Sequence, residues 1–348
     1  MNLTDYRTLG RSGLVVSPLA LGTMTFGKER WGTDAAGSEA VFHAYLDAGG
    51  NFIDTADVYA ASSSEELLGG FITETRTRDK VVLATKFTFS AEDGNPNAAG
   101  NGRKNIYRAL EGSLRRLQTD YIDLYWLHFW DSVTPVEEVL QTLGDLQRAG
   151  KIRYFGLSDV PAWYAARAAT LAGAHAAPGP IALQMEYSLV AREIESEHLP
   201  LAHECGLGMM PWSPLAGGFL AGKYTRPAEG SEAKASGEGR LSGSNPLGDT
   251  KFTARNWDTL DALKAVAAEV DRSPAQVALA WAAGRPGITS TIIGASRTEQ
   301  LQDNIASLEI TLTPEQMQTL NKASAPASSP YEYFQPATVF ECDVQEWK

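Results

Sequence analysis

The chain is expected to fold as an α/β protein of the (β/α)8 TIM-barrel class, and three observations predict it. Apolar runs of strand length recur from one end of the 348 residues to the other. Segments with helical spacing of apolar residues lie between them, and the runs number eight. Strand runs that are apolar on both faces and alternate with helices indicate parallel strands covered by helices, and eight such units match a closed barrel. An open doubly wound sheet is the alternative.

Taken in order, residues 5–16 hold LGRSG between short apolar runs. This reads as a hairpin suited to plug the bottom of a barrel, or as a plain N-terminal arm. The candidate strands are 19–21, 51–54, 81–86, 122–128, 153–157, 181–185, 208–212 and 291–293. Helical patterns fall at 38–48, 105–117, 135–149, 161–172 and 256–270, and several open on Ser, Thr, Asp or Pro. Ala149-Gly150 ends one of them cleanly. Residues 224–255 are rich in Gly, Ser, Lys and Glu without apolar periodicity, which predicts a long loop after the seventh strand and a possible lid. Residues 325–348 form a C-terminal tail. No linker and no repeat beyond the β/α alternation divides the chain, so 1–348 is expected to be one barrel domain.

The composition, 43% hydrophobic and 21% charged, is that of a globular protein able to bury a large core. Thirty basic against forty-two acidic residues give a net charge of −12, which argues against nucleic-acid binding and against docking on anionic membrane. Any bound phosphate must be held by local groups. The start, MNLTDYRTLGRSG, has no long apolar run, and no stretch reaches the roughly 20 apolar residues of a membrane span, so a cytoplasmic protein is expected. Cys205 and Cys342 show neither CxxC spacing nor a histidine cluster, so neither a disulfide framework nor a metal site is expected.

In a barrel, side chains at the C-terminal ends of different strands converge on one mouth. The second run ends in Asp54 and continues Thr-Ala-Asp-Val-Tyr59, the third ends in Lys86, and the fourth ends in His128. Singly, each has a plain structural reading: a loop cap, a solvated lysine, a packed histidine. Together they form a proton-transfer set, because a phenol with a pKa near ~10 is a poor acid or base until a cation lowers it. Lys86 is the candidate cation, Asp54 the group that holds it charged, and His128 the donor that fixes a substrate oxygen near Tyr59.

The run GNFIDTADVY over 50–59, followed by SEELLG over 64–69, resembles the signature of the aldo-keto reductase superfamily. The run WSPLAGGFLAGKY over 212–224 resembles in particular its longer bacterial members, which are similar to the β subunits of voltage-gated potassium channels. The resemblance covers nearly the whole chain. It implies a barrel enzyme in which Asp54, Tyr59, Lys86 and His128 are the catalytic tetrad and Tyr59 is the general acid during reduction.

No GxGxxG follows the first strand, so a dinucleotide is not held in the Rossmann manner. The resemblance sets the nicotinamide carboxamide against Ser158, Asp159 and Gln184, with the ring on the face of Trp212 and Gly22, Thr23, Met24 and Asp54 close by. Many family members carry Asn where this chain has Asp159. The pyrophosphate is expected along Ser213, Pro214, Leu215, Ala216 and Gly218, with Lys223 supplying positive charge. The run 294–304, from the eighth strand into a helix, resembles the adenosine pocket of the family. There Gly294, Ser296, Arg297, Gln300, Asp303 and Asn304 are the expected contacts, with Ser296 and Arg297 toward a 2′-phosphate. NADPH is therefore expected as cofactor, with NADH the alternative.

The loops after the strands carry Met24, Phe26, Trp31, Phe87, Phe89, Phe129 and Trp130, and the tail adds Tyr331, Tyr333 and Phe334. Of these, Phe26, Trp31, Phe87 and Trp130 are the expected substrate pocket, suited to aromatic, aliphatic or polycyclic aldehydes and ketones better than to phosphorylated sugars. The expected partner is such a small molecule, with the chain a monomer or a homo-oligomer. Two rivals remain in view. One is a redox-sensing binding subunit that keeps its cofactor; the other is a barrel lyase or isomerase, against which the 212–223 and 294–304 runs count.

Overall fold

Strand follows helix along the chain in the expected alternation, and the computed structural model describes residues 1–28, 31–90, 92–227, 239–242 and 248–326. An antiparallel hairpin comes first, β1 (Arg7–Thr8) paired with β2 (Val15–Val16). The barrel strands are β3 (Leu19–Gly22), β4 (Phe52–Asp54), β5 (Val82–Phe87), β6 (Ile122–Leu127), β7 (Ile152–Ser158), β8 (Ala182–Glu186), β9 (Gly208–Trp212) and β10 (Thr291–Ile293). All pair in parallel, in the order β10-β3-β4-β5-β6-β7-β8-β9. Between β9 and the segment before β10, a bridge from Met209 to Ile288 and the bond from Thr289 N to Met209 O bring the two edges together. The result is the nearly closed (β/α)8 barrel that the eight runs predict, not an open sheet.

The outer layer holds α1 (Ala35–Asp47), α2 (Ser63–Thr75), α3 (Arg103–Arg116), α4 (Val136–Arg148), α5 (Ala162–Ala174) and α6 (His198–Cys205). It continues with the short α7 (Gly248–Lys251), α8 (Ala254–Glu269), α9 (Pro274–Ala283), α10 (Thr298–Ala306) and α11 (Pro314–Ala323). Both α9 and α11 open on a complete capping box, Ser273 with Gln276 and Thr313 with Gln316. The expected loop over 224–255 thus contains a helical turn and the start of α8; its positions 228–238 and 243–247 lie outside the described residues. So do Tyr331, Tyr333, Phe334 and Cys342, with the tail from 327 onward.

Alternation along each strand sorts the core into two clusters. The smaller fills the barrel itself: Ala20, Phe52, Val82, Ala84, Leu124, Trp126, Ala182 and Met210, joined by Leu9 and Val16 from the hairpin. A Cβ on Gly156 of β7 would lie 2.3 Å from the Trp126 ring, so only glycine leaves room for that indole. The hairpin closes the lower end. Arg11 N donates to Gly206 O over 2.7 Å, and Gly10 (φ +62°) packs on Ile181 O, Gly206 O and Gly208 N, all at the N-terminal ends of β8 and β9. The larger cluster lies between barrel and helices.

The same alternation builds the site. Two residues beyond each lumen residue comes the next inward position: Gly22 after Ala20, Asp54 after Phe52, Lys86 after Ala84, His128 after Trp126. On the far side the steps run Ser158 after Gly156, Gln184 after Ala182, and Trp212 after Met210. The polar strand ends form one layer above the apolar plug of the barrel, which is why they meet.

Candidate active site

Tyr59 stands on a strained turn after β4. Ala60, Ala61 and Ser62 take φ of 50°, 51° and 78°, left-handed values for three successive residues with a Cβ. Each costs on the order of 1 kcal/mol, so surrounding contacts must hold the turn. Ser62 Oγ donates to Asp57 O over 2.7 Å, and Tyr59 N to Ala56 O over 3.2 Å. Beneath it, the wholly buried Glu65 of α2 accepts from Thr85 Oγ1 and from Arg116 Nε, each over 2.6 Å, tying α2 to β5 and α3.

Lys86 is fully buried, its Nζ in contact with Asp54 Oδ2, donating to Thr55 O over 2.7 Å and to Tyr59 Oη over 3.3 Å. Gln184 Nε2 donates to Asp54 Oδ1 over 3.0 Å. Burial alone lowers Lys86, but Asp54 and Tyr59 outweigh it and raise the lysine. Burial raises Asp54, with Lys86 and Gln184 pulling against the rise. The two directions compete within one pair. Direct contact between ammonium and carboxylate in a dry setting favours the charged lysine.

Burial pushes the Tyr59 phenol above its ordinary value; Lys86 pulls it back without cancelling the burial, and Asp54 adds to the rise. A neighbouring cation on its own leaves a phenol a stronger acid, as the sequence pattern predicts for Lys86. The net direction is opposite because desolvation of the phenolate outweighs the lysine, so at neutral pH Tyr59 is a protonated donor. His128 lies with its ring centroid 5.9 Å from that of Tyr59 and edge-on to Phe89 at 4.8 Å. Burial, aided by the charge of Lys86, holds it well below the ordinary histidine range, so its ring is neutral. His128 Nδ1 is buried with no hydrogen-bond partner among the described residues.

These groups open on a cavity of about 920 Å³ that runs to the start of α10. Its walls include Gly22, Met24, Trp31, Asp54, Tyr59, His128, Ser158, Asp159, Gln184 and Trp212. Farther along it is lined by Ser213, Pro214, Leu215, Gly218, Lys223, Gly294, Ser296, Arg297, Gln300, Asp303 and Asn304. Trp212 Nε1 donates to Asp159 Oδ1 over 3.0 Å. Ser296 N and Oγ both donate to Gln300 Oε1, and Asn304 Nδ2 donates to Gly294 O.

Several expected residues sit elsewhere. Phe87 follows Lys86, so it faces the opposite side of β5, wholly buried against Tyr125 at 4.8 Å. Phe26 is turned inward by the bond from its own N–H to Thr23 O and packs edge-on to Phe71 at 6.4 Å. Trp130 packs edge-on to Trp163 at 5.7 Å on the outer rim. None of the three is on the cavity wall, and of the expected substrate pocket only Trp31 is. Thr23 and Ala216 are fully buried behind the wall, Thr23 donating to Asp54 O and accepting from Ser64 Oγ.

The cavity joins an aromatic end at Trp212 to a cationic side at Lys223 and Arg297, and one family accounts for most of the chain. A family model described as "Aldo/keto reductase family" matches residues 18–325. The chain belongs to that family. This aldo/keto reductase is 37% identical over 329 residues to a probable voltage-gated potassium channel subunit beta of Oryza sativa subsp. japonica, spanning 89% of this chain and 94% of that one. It is 37% identical over 325 residues to an uncharacterized oxidoreductase, YrpG, of Bacillus subtilis, spanning 91% and 95%. It is 34% identical over 331 residues to an aryl-alcohol dehydrogenase [NADP(+)] of Phanerodontia chrysosporium, spanning 89% and 83%. The reductase is thus an NAD(P)H-dependent oxidoreductase.

The residues present suit such a cofactor on their own chemistry. Trp212 and Gln184, from neighbouring strands, both line the cavity at one end. The turn after β9 has left-handed φ at Ser213, Ala216, Gly217 and Gly218, a geometry that lets backbone N–H groups converge on an anion. Lys223 and Arg297 add charge, and α10 presents its N-terminus. Arg240 belongs to no recognisable motif of the sequence. It lines the cavity with its guanidinium 5.2 Å from the Trp31 ring centroid and close enough to Tyr59 to lower its phenol. Its segment is held by Leu241 N donating to Tyr224 Oη over 2.9 Å. Nothing in the non-periodic run 224–250 marks that arginine. No helix of the described residues is long and apolar enough to cross a membrane.

Proposed function

We propose that the protein is an NADPH-dependent carbonyl reductase, converting aldehydes or ketones reversibly to alcohols, with Tyr59 as the proton donor. The observation that carries this is the convergence of Tyr59, Lys86, Asp54 and neutral His128 at one end of a cleft whose other end holds Ser296, Arg297 and Asn304. The cofactor, when bound, supplies hydride to the carbonyl carbon. Tyr59 then delivers its proton to the developing alkoxide, and Lys86, held charged by Asp54, stabilises the phenolate left behind. His128, neutral and a donor, orients the carbonyl oxygen toward Tyr59. Ser158, Asp159 and Gln184 hold the carboxamide, and Ser296 with Arg297 favours the 2′-phosphate over its absence.

Around Tyr59 the wall is formed by Met24, Trp31, Val58 and Phe89, which suits aromatic or aliphatic carbonyls. The names of two relatives, aryl-alcohol dehydrogenase [NADP(+)] and the norsolorinic acid reductase of Aspergillus flavus, agree with that class. The test follows NADPH absorbance against a panel of aldehydes and ketones. Tyr59→Phe is expected to lower turnover by roughly 10²–10⁴-fold while NADPH still quenches tryptophan fluorescence. Turnover that survives the substitution sinks the role of Tyr59. Two relatives named as potassium channel subunits favour a second reading, a cofactor-binding sensor. NADPH binding without turnover of any carbonyl would select it.

A further inference from the structure

We propose that Asp159 sets the preference of this pocket between oxidised and reduced nicotinamide, offering a carboxylate to the cationic ring and a neutral carboxyl to the uncharged one. The inference rests on the cofactor reading above and goes past it, from which groups touch the ring to which redox form they favour.

Asp159 is held in place from both sides. Its backbone takes φ of 47°, left-handed for a residue with a side chain, while its N–H donates to Gln184 O over 3.1 Å and its carbonyl accepts from Trp130 N over 3.4 Å. Asp is among the few residues that tolerate this conformation. The backbone that carries the side chain on the cavity wall is therefore fixed. Oδ1 accepts from Trp212 Nε1 over 3.0 Å, and Oδ2 lies 3.4 Å from Ser158 Oγ. Both neighbours are neutral donors. None of the ion pairs among the described residues includes Asp159.

Two charged groups bear on it, one from β8 and one from β5. Glu186 on β8 disfavours its ionised form and is itself paired with Lys251 of α7 over 2.6 Å. Lys86 on β5 favours ionisation but is engaged by Asp54 and Tyr59. His128, after β6, is neutral. Burial, the largest influence, pushes the Asp159 carboxyl up to about 7 against the pull of Trp212 and Ser158. At neutral pH the group is thus divided between its two forms, and whatever charge arrives beside it decides which one prevails. A pyridinium ring favours the carboxylate and drives a proton off. A dihydropyridine carries no charge and expels water, which favours the neutral carboxyl. A carboxamide-binding asparagine would make neither distinction.

The test measures dissociation constants of NADP+ and NADPH by tryptophan quenching between pH 5.5 and 8.5, for wild type and Asp159→Asn. Ionisation of the 2′-phosphate is common to both nucleotides and cancels in their ratio. The ratio Kd(NADP+)/Kd(NADPH) of the wild type is expected to fall about tenfold as pH rises, and that of the variant to stay flat. Calorimetry at pH 7 in two buffers of different ionisation heat should show about half a proton released by wild type on binding NADP+ and almost none by the variant. If both nucleotides bind but the ratio does not move, or moves equally in Asp159→Asn, the proposal fails alone. If neither nucleotide binds wild type at any pH, the cofactor reading fails and takes the proposal with it.

Discussion

Two carboxyl groups three residues apart, Asp54 and Asp57, meet burial with different company. Asp54 has Lys86 against one oxygen and Gln184 on the other. Asp57 has Arg116 and Arg108 only at longer range, Glu65 as a like charge, and an Oδ1 that no described group reaches. Burial, with Glu65 adding, pushes its carboxyl up to about 7. Since the folded value lies above the unfolded one near 3.8, the folded state binds the proton more tightly. That stability is full below about 3.8 and is lost as pH rises toward about 7. Asp57→Asn removes the titration. Relative to wild type, the variant should gain on the order of 2 kcal/mol between pH 5 and pH 8, measured by urea unfolding at both. An equal difference at the two pH values would show that the carboxyl is not so perturbed. The sequence marked Asp54 because it ends an apolar run; nothing in a string of letters separates Asp57 from it, because the contrast lies in neighbours from α2 and α3. Phe26 and Phe87 were misread for the same reason. An aromatic beside a strand end looks like pocket wall until the alternation of the strand and the turn after it decide which way the ring goes.

At the scale of elements the alternation was legible, and so was the meeting of the strand ends, because both follow from a period of two and a parallel barrel. The hairpin was readable only as a possibility, since its two short strands gain their stability from the barrel that they close. Leu9 is wholly buried against the lumen residues, and the turn that carries it passes within bonding distance of β8 and β9. Gly10 makes that approach possible. A Cβ there would lie 2.4 Å from Ile181 O and 2.6 Å from Gly208 N, on a backbone at φ +62°. Neither obstacle is the end of a flexible side chain, so Gly10→Ala must displace the plug. We expect a loss of about 2–4 kcal/mol, from backbone strain and overpacking together. An unfolding free energy from urea titration within about 0.5 kcal/mol of wild type would mean that the hairpin yields freely and does not close the barrel.

On the scale of the whole molecule, the cleft draws its wall from all eight barrel strands or the turns that leave them, from Gly22 near one end of the chain to Asn304 near the other. A dinucleotide filling it would contact segments that are distant in sequence, and none of these contacts exists in the unfolded chain. The protein carries a net charge of −12, so an anionic ligand gains nothing from the overall field and depends on the cations gathered locally, Lys223, Arg240 and Arg297. Two of those were readable from motifs; Arg240 was not, because its place depends on Tyr224 and Leu241 holding a segment of no regular pattern. Binding confined to the folded state adds about 2.7 kcal/mol when free ligand is a hundred times its dissociation constant. Spread over the unfolding entropy of a chain this long, that gain corresponds to a rise of about 4 °C in Tm. NADPH should produce such a rise in a thermal melt. Arg297→Glu should diminish it by weakening the nucleotide, with the melting temperature of the free protein little changed, since no ion pair among the described residues uses Arg297. An unchanged melting temperature at saturating NADPH would remove the cleft as the cofactor site.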